Sequence, residues 1–334
     1  MFGSLQKCYE IAYKTTDYRK KKSMKEIFMH HPYKENQIPS DEVVLVLGYF
    51  DGIHLGHQKV IEQGRKIAQE KGLKLALMTF NHHPSIVFNK VNFETMKTLC
   101  TPQRKAQMMA ELGIDYFYII DFTSKFAALK PQQFVDEYIV GLHAKAVVTG
   151  FDYTFGPKEI ASTEHLPEYA KERFEVTVVP AFKMGEKKVS STRIRNLLDE
   201  GEIEQTNELL GYTYETVGIV IHGEARGRTL GYPTANIDIR RSTRLPKIGV
   251  YVNRVKVSGK WYRGMASIGY NDTFGDNLHL TLEVYILDFN EDIYGEEITV
   301  EWLHYIRGMV KFESVEELIQ QLKNDEEYTR KFPM

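Results

Sequence analysis

The sequence predicts two domains of different class: an α/β domain with a Rossmann-like, doubly wound parallel sheet, followed by a small antiparallel β-barrel. The chain has 334 residues, which at about 100–200 residues per domain is enough for two. Strand-like and helix-like segments alternate through its first half, as they do in doubly wound sheets. After Gly211, strand-like segments follow one another with little helix between them, which is typical of a barrel.

The composition excludes several classes of protein. The 43 Lys+Arg and 45 Asp+Glu residues leave a net charge of −2, which argues against a strongly basic nucleic-acid binder and against a highly charged disordered chain. The only cysteines, Cys8 and Cys100, are too few for a disulfide scaffold or a four-cysteine metal site. No apolar run approaches the roughly 18 residues of a membrane span, and no signal peptide is visible. We expect a cytoplasmic protein without a membrane partner, and the sequence leaves open whether it forms a homo-oligomer.

Residues 1–23 differ from the rest of the chain. They carry Lys7, Lys14, Arg19 and three further lysines against only two acidic side chains. We interpret them as a basic N-terminal extension, either loosely ordered or the product of a start codon placed too far upstream. The alternative is an arm that binds a partner, for which a short basic run is weak support.

The first domain is predicted to contain five strands and three helices. The strands cover residues 41–48, 74–80, 115–121, 146–150 and 174–180, and the helices cover residues 57–70, 102–112 and 131–142. The continuous apolar run at 41–48 is typical of a strand buried on both faces. Ligands of such sheets bind at the carboxyl ends of the strands. We therefore expect the loops after Gly48, Phe80 and Gly150 to share one functional edge.

The second half begins with a helical segment, residues 191–210, and continues with strands at 214–222, 249–257, 261–268 and 278–287. A closing helix is predicted at 314–323. The change of pattern near Gly211 sets the domain boundaries. We predict an extension at 1–23, a first domain at 24–190, a linker helix at 191–211 and a barrel domain at 212–334.

The first motif, GYFDGIHLGH at residues 48–57, joins a strand to a helix. Its glycines let the backbone approach a ligand closely, and the helix N-terminus offers unpaired N–H groups to a phosphate. His54 and His57 lie three residues apart, so both face the same side of the first turn and can donate to phosphate oxygens. Such a turn suits nucleotidyl transfer, which needs positioning and charge stabilisation. Histidines that only cap the helix and a zinc site are the alternatives, and the chain has no Walker sequence of a P-loop kinase.

The second motif, GEARGRTLGYPTAN at residues 223–236, follows a strand. Its strand-like flanks and its proline favour a glycine-rich loop with two arginines available to phosphate. Two neutral oxygen ligands on one face of an extended segment suit Mg²⁺ together with nucleotide phosphates. The alternative is a surface turn with two solvated arginines. It would account for any one of these residues, but not for the whole fourteen-residue segment. The residues concerned are Gly223, Arg226, Gly227, Arg228, Gly231 and Pro233 for the phosphates, and Thr234 and Asn236 for the metal.

The first motif resembles the signature of the HxGH nucleotidyltransferases, specifically the flavin-adenylating domain of bacterial bifunctional riboflavin kinase/FAD synthetases. TFNHHP at 79–84, GFDYTFG at 150–156 and VSSTRIR at 189–195 resemble further motifs of that family, in the same order. The resemblance implies catalytic roles for His54 and His57, and a flavin-side role for His83 and Pro84. It implies ATP binding by Gly48, Phe50, Asp51, Gly52, Asp152, Ser190, Ser191, Thr192 and Arg195.

The second motif resembles the GxxxGRxLGxPTAN motif of the riboflavin kinase domain. GVY at 249–251, the strand at 282–289 and IRGMVKF at 306–312 are similar to later motifs of that domain. A carboxylate in an otherwise apolar strand either faces solvent or is functional, and the resemblance implies that Glu283 is the base that accepts the riboflavin 5′-hydroxyl proton. It also implies that Arg307 and Phe312 border the flavin.

The expected function is bifunctional. The C-terminal domain transfers the γ-phosphate of ATP to riboflavin, giving FMN, with Mg²⁺ near the phosphates. The N-terminal domain then transfers AMP from a second ATP to FMN, giving FAD and pyrophosphate. One alternative is a riboflavin kinase with a weak or inactive adenylyltransferase domain, because residues 157–163 lack the glycine and most of the basic residues of the family. Another is a flavin-sensing regulator that binds nucleic acid through residues 1–23.

Overall fold

The chain forms two compact units in a computed structural model, which describes residues 24–88, 97–223, 226–271 and 279–334. Of these, residues 24–88 and 101–190 belong to the first unit, and residues 97–100, 191–223, 226–271 and 279–334 belong to the second. The predicted basic extension at 1–23 lies outside the described residues. Residues 191–211, predicted as a linker, belong to the second unit.

The first unit alternates strands and helices. Its strands are β1 Lys25–Met29, β2 Val43–Leu47, β3 Lys74–Phe80, β4 Tyr116–Ile120, β5 Ala144–Gly150, β6 Glu175–Val179, β7 Lys183–Met184 and β8 Lys187–Lys188. Its helices are α1 Leu55–Lys71, α2 Ser85–Phe88, α3 Pro102–Glu111, α4 Ser124–Ala127, α5 Pro131–Val135 and α6 Leu166–Ala170, with a 3₁₀ turn at Glu35–Gln37 and a π-helical turn at Asp136–Val140.

The main sheet has six strands in the order β1-β4-β3-β2-β5-β6, and all its pairings are parallel. The chain winds outward from β2 through β3 in one direction and through β5 in the other. A crevice forms where the strand order reverses in this way, at the carboxyl ends of the two diverging strands. The loops that follow β2 and β5 therefore lie where ligands of doubly wound sheets generally bind.

The burial of β2 explains its central place. All five of its side chains are buried, as expected for a strand covered on both faces. Helix α1 packs on the sheet through Val60, Ile61 and Ile67, and it ends at Gly72, whose φ of 67° gives the left-handed C-terminal cap. These contacts fix the N-terminal end of α1 directly after β2.

The second unit begins with two helices and continues as a barrel. Its elements are α7 Ser191–Glu200, α8 Ile203–Leu210, β9 Glu215–Ile221, α9 Arg226–Thr229, β10 Thr234–Ile239, β11 Gly249–Val257, β12 Lys260–Asn271, β13 His279–Ile286, β14 Glu297–Arg307 and α10 Val315–Lys331. The six strands close into an antiparallel barrel in the order β10-β13-β12-β11-β14-β9, with β9 paired to β10.

The barrel interior is filled by large side chains. Trp302 is fully buried, and its indole N–H donates to Thr216 Oγ1 at 2.9 Å. Its ring meets the ring of Tyr251 edge to face, with centroids 5.0 Å apart. Outside the barrel, Arg263 donates to the carbonyl oxygens of Arg330 and Phe332 at 2.9 and 2.7 Å. These bonds satisfy carbonyl groups at the end of α10 and anchor that helix to β12.

The predicted fold class is confirmed in both units, whereas several element bounds are wrong. Strands β1 and β14 were missed, and the extended segment at 234–236 is part of the six-residue strand β10. The single helix predicted at 191–210 is interrupted at Gly201, which has a φ of 82° that a helix interior does not adopt. Within the described residues, no helix is long and apolar enough to cross a membrane.

Candidate active sites

The GYFDGIHLGH turn arranges its histidines as a stacked pair. His54 is the N-cap of α1, and its Nδ1 accepts a hydrogen bond from the backbone N–H of His57 at 3.2 Å. The two imidazole rings stack with centroids 3.6 Å apart and an interplanar angle of 13°. Phe50 packs edge-on against His57 with centroids 5.2 Å apart. His54 can therefore cap the helix and take part in a ligand site at the same time. Its Nδ1 is the capping nitrogen, and its Nε2 is left for a ligand.

Both histidines are held neutral at pH 7. The pKa of His54 is lowered to about 4, mainly by burial; a backbone hydrogen bond and the charge of Asp152 oppose the change, and the charge of Lys188 adds a smaller lowering effect. Burial also lowers the pKa of His57 well below its usual value, with smaller contributions from the charges of His54 and Lys105. Because Nδ1 of neutral His54 is an acceptor, its proton resides on Nε2. The turn thus presents a fixed N–H donor from His54.

The lowered pKa of His54 predicts how stability depends on pH. The unfolded chain, with a pKa near 6.5, binds more protons than the folded chain between pH 6.5 and about 4. The stabilisation is complete above pH 6.5 and is lost as the pH falls toward 4. At about 1.4 kcal/mol per pKa unit this amounts to about 3 kcal/mol for the first unit. Calorimetry between pH 7.5 and 4 checks this, and a His54→Asn protein with the same pH dependence would contradict it.

The loop after β5 places Asp152 near the histidines. The carboxylate of Asp152 lies 3.5 Å from Lys188 Nζ, and both groups influence the pKa of His54. A Cβ on Gly56 would lie 3.6 Å from the carbonyl oxygen of Val189, so the segment before Ser190 reaches the same turn. The reversal point of the sheet therefore brings Asp152 and the backbone of Val189 close to the GYFDGIHLGH turn.

The remaining predicted residues of this half have different degrees of exposure. Phe50, Asp51 and Gly52 are buried, and Gly48 is half-buried. The Phe50 ring packs on His57, and Phe50 is only 2% exposed. Ser190 ends the first unit. Residues 191–195 of the VSSTRIR motif lie on α7 in the second unit. A role as triphosphate ligands stays a prediction for three of them: Ser191, Thr192 and Arg195.

The predicted flavin-side residues lie between β3 and α2. His83 is exposed, its Nδ1 lies 2.7 Å from Ser85 Oγ and accepts from the backbone N–H of Ser85 at 3.2 Å. Its ring meets the ring of Tyr49 edge to face, with centroids 5.0 Å apart. Pro84 is half-buried beside it. The TFNHHP segment thus lies against the residue that follows Gly48.

A buried lysine that belongs to none of the sequence motifs contacts this turn. Lys105 on α3 is only 8% exposed. Its Nζ donates to the carbonyl oxygen of Tyr49 at 2.9 Å and lies 4.7 Å from the centroid of the Tyr49 ring. The one signal in the sequence is its position: with Met108 and Met109 it occupies the buried stripe of an amphipathic helix. A lysine on such a stripe is a candidate for a buried, functional charge.

In the barrel, strand register brings the second set of predicted residues together. Asn236 on β10 and Ser267 on β12 both pair with Glu283 on β13, so the three side chains share one face of the barrel wall. Thr234 shares that face, and its Oγ1 donates to Glu283 Oε2 at 3.0 Å. Glu283 is half-buried. The carboxylate therefore lies beside both predicted metal ligands.

The glycine-rich segment packs closely on the same face. A Cβ on Gly223 would lie 2.2 Å from the Asn236 amide nitrogen, and one on Gly227 would lie 2.3 Å from the Tyr232 carbonyl oxygen. Neither distance is compatible with a side chain. The segment is not a loop throughout, because Arg226 and its neighbours form the short helix α9. Three further predicted residues lie along or after α9 and are exposed: Arg228, Gly231 and Pro233.

An ion pair with a buried carboxylate fixes the guanidinium of Arg307. Its guanidinium donates to both carboxylate oxygens of Asp325 on α10, with Nε at 3.2 and 3.0 Å and Nη2 at 2.6 Å from Oδ2. Asp325 is only 2% exposed. Its position was not part of any sequence motif. Phe312, the other predicted flavin neighbour in this segment, is half-buried before α10. The fixed Arg307 anchors β14 to α10 beside that segment.

The oxygen atoms of the side chains around Glu283 are suitable ligands for Mg²⁺. The Thr234 hydroxyl and the Asn236 amide supply neutral oxygen atoms, and Glu283 supplies a carboxylate. In the described part of the chain, no group of three or more His, Cys, Asp or Glu side chains is arranged to hold a metal by itself. A hard cation that takes most of its ligands from phosphates and water suits so few protein ligands.

Comparison with known proteins shows which family this chain belongs to. The FAD synthetase family profile matches residues 36–193, and the riboflavin kinase family profile matches residues 210–333. A bifunctional riboflavin kinase/FMN adenylyltransferase from Listeria monocytogenes is 48% identical over 92% of this chain and 98% of its own length. The chain belongs to the bifunctional riboflavin kinase/FMN adenylyltransferase family. It carries both domains of that family, which confirms the bifunctional prediction.

Two further relatives agree over most of the chain. The bifunctional riboflavin kinase/FMN adenylyltransferase of Bacillus subtilis is 42% identical over 91% of this chain and 96% of its own length. The crystal structure of a macrolide-efflux protein from Streptococcus pneumoniae is similar, with a TM-score of 0.85, 40% identity and coverage of 92% of this chain and all of that one. The similarity to a solved structure therefore also extends over most of this chain.

Proposed function

We propose that the barrel transfers the γ-phosphate of ATP to the 5′-hydroxyl of riboflavin, with Glu283 as general base. The observation that carries this proposal is the bond from Thr234 to Glu283 Oε2. It orients the carboxylate and leaves Oε1 to accept the proton of the substrate hydroxyl. The hydroxyl oxygen then attacks the γ-phosphorus, ADP leaves, and the proton remains on Glu283 until it passes to solvent.

Thr234 and Asn236 are the proposed protein ligands of Mg²⁺. A bound Mg²⁺ neutralises charge on the nucleotide phosphates. Two nearby features suit the binding of the phosphates. The lack of a side chain at Gly223 leaves room for Asn236, and the guanidinium of exposed Arg228 is available to phosphate oxygens.

The first unit is proposed to transfer AMP from ATP to the phosphate of FMN. A phosphate oxygen of FMN attacks the α-phosphorus of ATP, and pyrophosphate leaves. The fixed Nε2–H of His54 and the N-terminus of α1 are suited to stabilise the negative charge that develops on the transferred phosphorus. We assign this step to residues 24–190 and the kinase step to residues 212–334.

Replacing Thr234 by valine tests the metal site. Valine keeps the shape but removes the oxygen ligand and the donor to Glu283. We expect the apparent affinity for Mg²⁺ in the kinase reaction to fall roughly 10- to 100-fold, while FMN adenylylation by the same protein is unchanged. Kinase rates measured across a Mg²⁺ titration give the result. Thr216→Val, at a buried threonine that bonds Trp302 instead, serves as the control. An unchanged Mg²⁺ dependence in Thr234→Val would exclude this ligand.

A further inference from the structure

The turn after β2 contains two side chains in an uncommon backbone conformation. Phe50 has a φ of 53° and Ile53 a φ of 39°. Both values lie in the left-handed region, which disfavours bulky residues and especially β-branched ones. Such strain persists only where the surrounding structure enforces it, and it is concentrated at functional sites.

Two buried donors converge on one carbonyl in this turn. Thr79 Oγ1 donates to the Tyr49 oxygen at 2.8 Å, and Lys105 Nζ donates to the same oxygen at 2.9 Å. Thr79 lies on β3 and is 1% exposed, and Lys105 lies on α3 and is 8% exposed. The ammonium also lies over the Tyr49 ring, 4.7 Å from its centroid. We call this pair of donors the carbonyl clamp.

The carbonyl clamp determines the direction of the next backbone N–H. The Tyr49 C=O and the Phe50 N–H belong to one planar trans peptide, so they point in opposite directions. Because Thr79 and Lys105 hold the oxygen on the inner side of the turn, the N–H of Phe50 is directed to the other side. Rotation of this peptide by half a turn would carry φ of Phe50 from the left-handed into the extended region. That rotation relieves strain, and the clamp opposes it.

We propose that Lys105 is a positioning residue for adenylyl transfer: together with Thr79, it holds the Tyr49–Phe50 peptide so that the turn presents an N–H group and not a carbonyl oxygen to the nucleotide phosphates. The inference rests on the proposed adenylyl-transfer site. A carbonyl oxygen turned toward the phosphates would repel them, whereas an N–H group binds them. Within the described residues, no carboxylate forms an ion pair with Lys105, so its charge also favours an anion at this turn.

The test compares four variants in full-length protein, with kcat and KM measured for both activities. Lys105→Met removes the charge and the donors at similar length, Lys105→Arg keeps both, and Thr79→Val removes the other donor. Lys66→Met, at a side chain that is 69% exposed, is the control. We expect Lys105→Met to lower kcat of FMN adenylylation roughly 10- to 100-fold. Thr79→Val has a smaller loss, Lys105→Arg restores most of the rate, and riboflavin kinase activity stays at the wild-type level in all four.

Three outcomes would overturn the proposal. Wild-type adenylylation by Lys105→Met is the first, and an equal loss in the arginine and methionine variants is the second. If Lys105→Met does not fold, Thr79→Val decides, and a wild-type kcat in that variant is the third. The site itself is tested separately: if His54→Asn retains full adenylylation, the proposed site is wrong whatever Lys105 does.

Discussion

Glu283→Gln is expected to abolish most riboflavin kinase activity while FMN adenylylation continues. Glutamine keeps an oxygen that can accept from Thr234, but it cannot take the proton of the riboflavin 5′-hydroxyl. General-base catalysis of this kind contributes about 10²- to 10⁴-fold, so kcat should fall by that factor with little change in KM. Rates of FMN formation and of FAD formation from added FMN, measured on one preparation, give both results.

The matched control for this prediction is Glu297→Gln. Glu297 is an exposed carboxylate at the start of β14 in the same barrel, and its replacement should leave both activities unchanged. A Glu283→Gln protein that forms FMN at the wild-type rate would show that another group accepts the proton. Loss of both activities at once would instead point to damage beyond the barrel site.

The second large effect is expected for His54→Asn. Asparagine is a good N-cap and can still accept from the His57 N–H, so α1 keeps its start. The variant loses the Nε2–H donor. Removing one preorganised donor to the developing charge costs about 10²- to 10³-fold in kcat, and we expect that loss in FMN adenylylation alone. The measurement is the rate of pyrophosphate release from ATP and FMN.

Riboflavin kinase activity of the same His54→Asn protein is the internal control and should remain unchanged. A second control is Asn at an exposed position of α1, for example Lys59→Asn, whose side chain forms only a surface pair with Glu62. Full adenylylation activity in His54→Asn would show that the proposed adenylyl-transfer site is wrong, and it would leave His54 only the capping role that the sequence motif also allows.

Short-range features were predictable from the sequence because neighbouring residues produce them. The position of His54 and His57 on one side of a helical turn follows from their spacing, and the switch from mixed to all-strand pattern near Gly211 follows from periodicity. The neutral state of the histidines was not predictable, since it comes from burial that only the folded unit creates. Stacking of the two rings likewise depends on the fold around Phe50.

Long-range contacts account for most of what was missed. Lys105 and Tyr49 are 56 positions apart in the chain, and no motif links them. The closeness of Thr234 to Glu283 depends on the pairing of β10 with β13, which requires the barrel to close. Strand β14 was not predicted because charged residues interrupt its apolar pattern. These residues face away from the core, and they alternate with buried side chains such as Val300 and Trp302. Buried Asp325 carries no signal until α10 packs on Arg307.

We propose that one chain carries two separate active sites that act in succession. Mixing Glu283→Gln with His54→Asn tests it most directly, with riboflavin, ATP and Mg²⁺ as the only substrates. We expect that neither variant alone forms FAD from riboflavin at more than a residual rate. Together they form it readily, because FMN released by the barrel of one is used by the first unit of the other. Rapid FAD formation by either variant alone, or none by the mixture, would show that the chain does not carry two separate active sites with these residues.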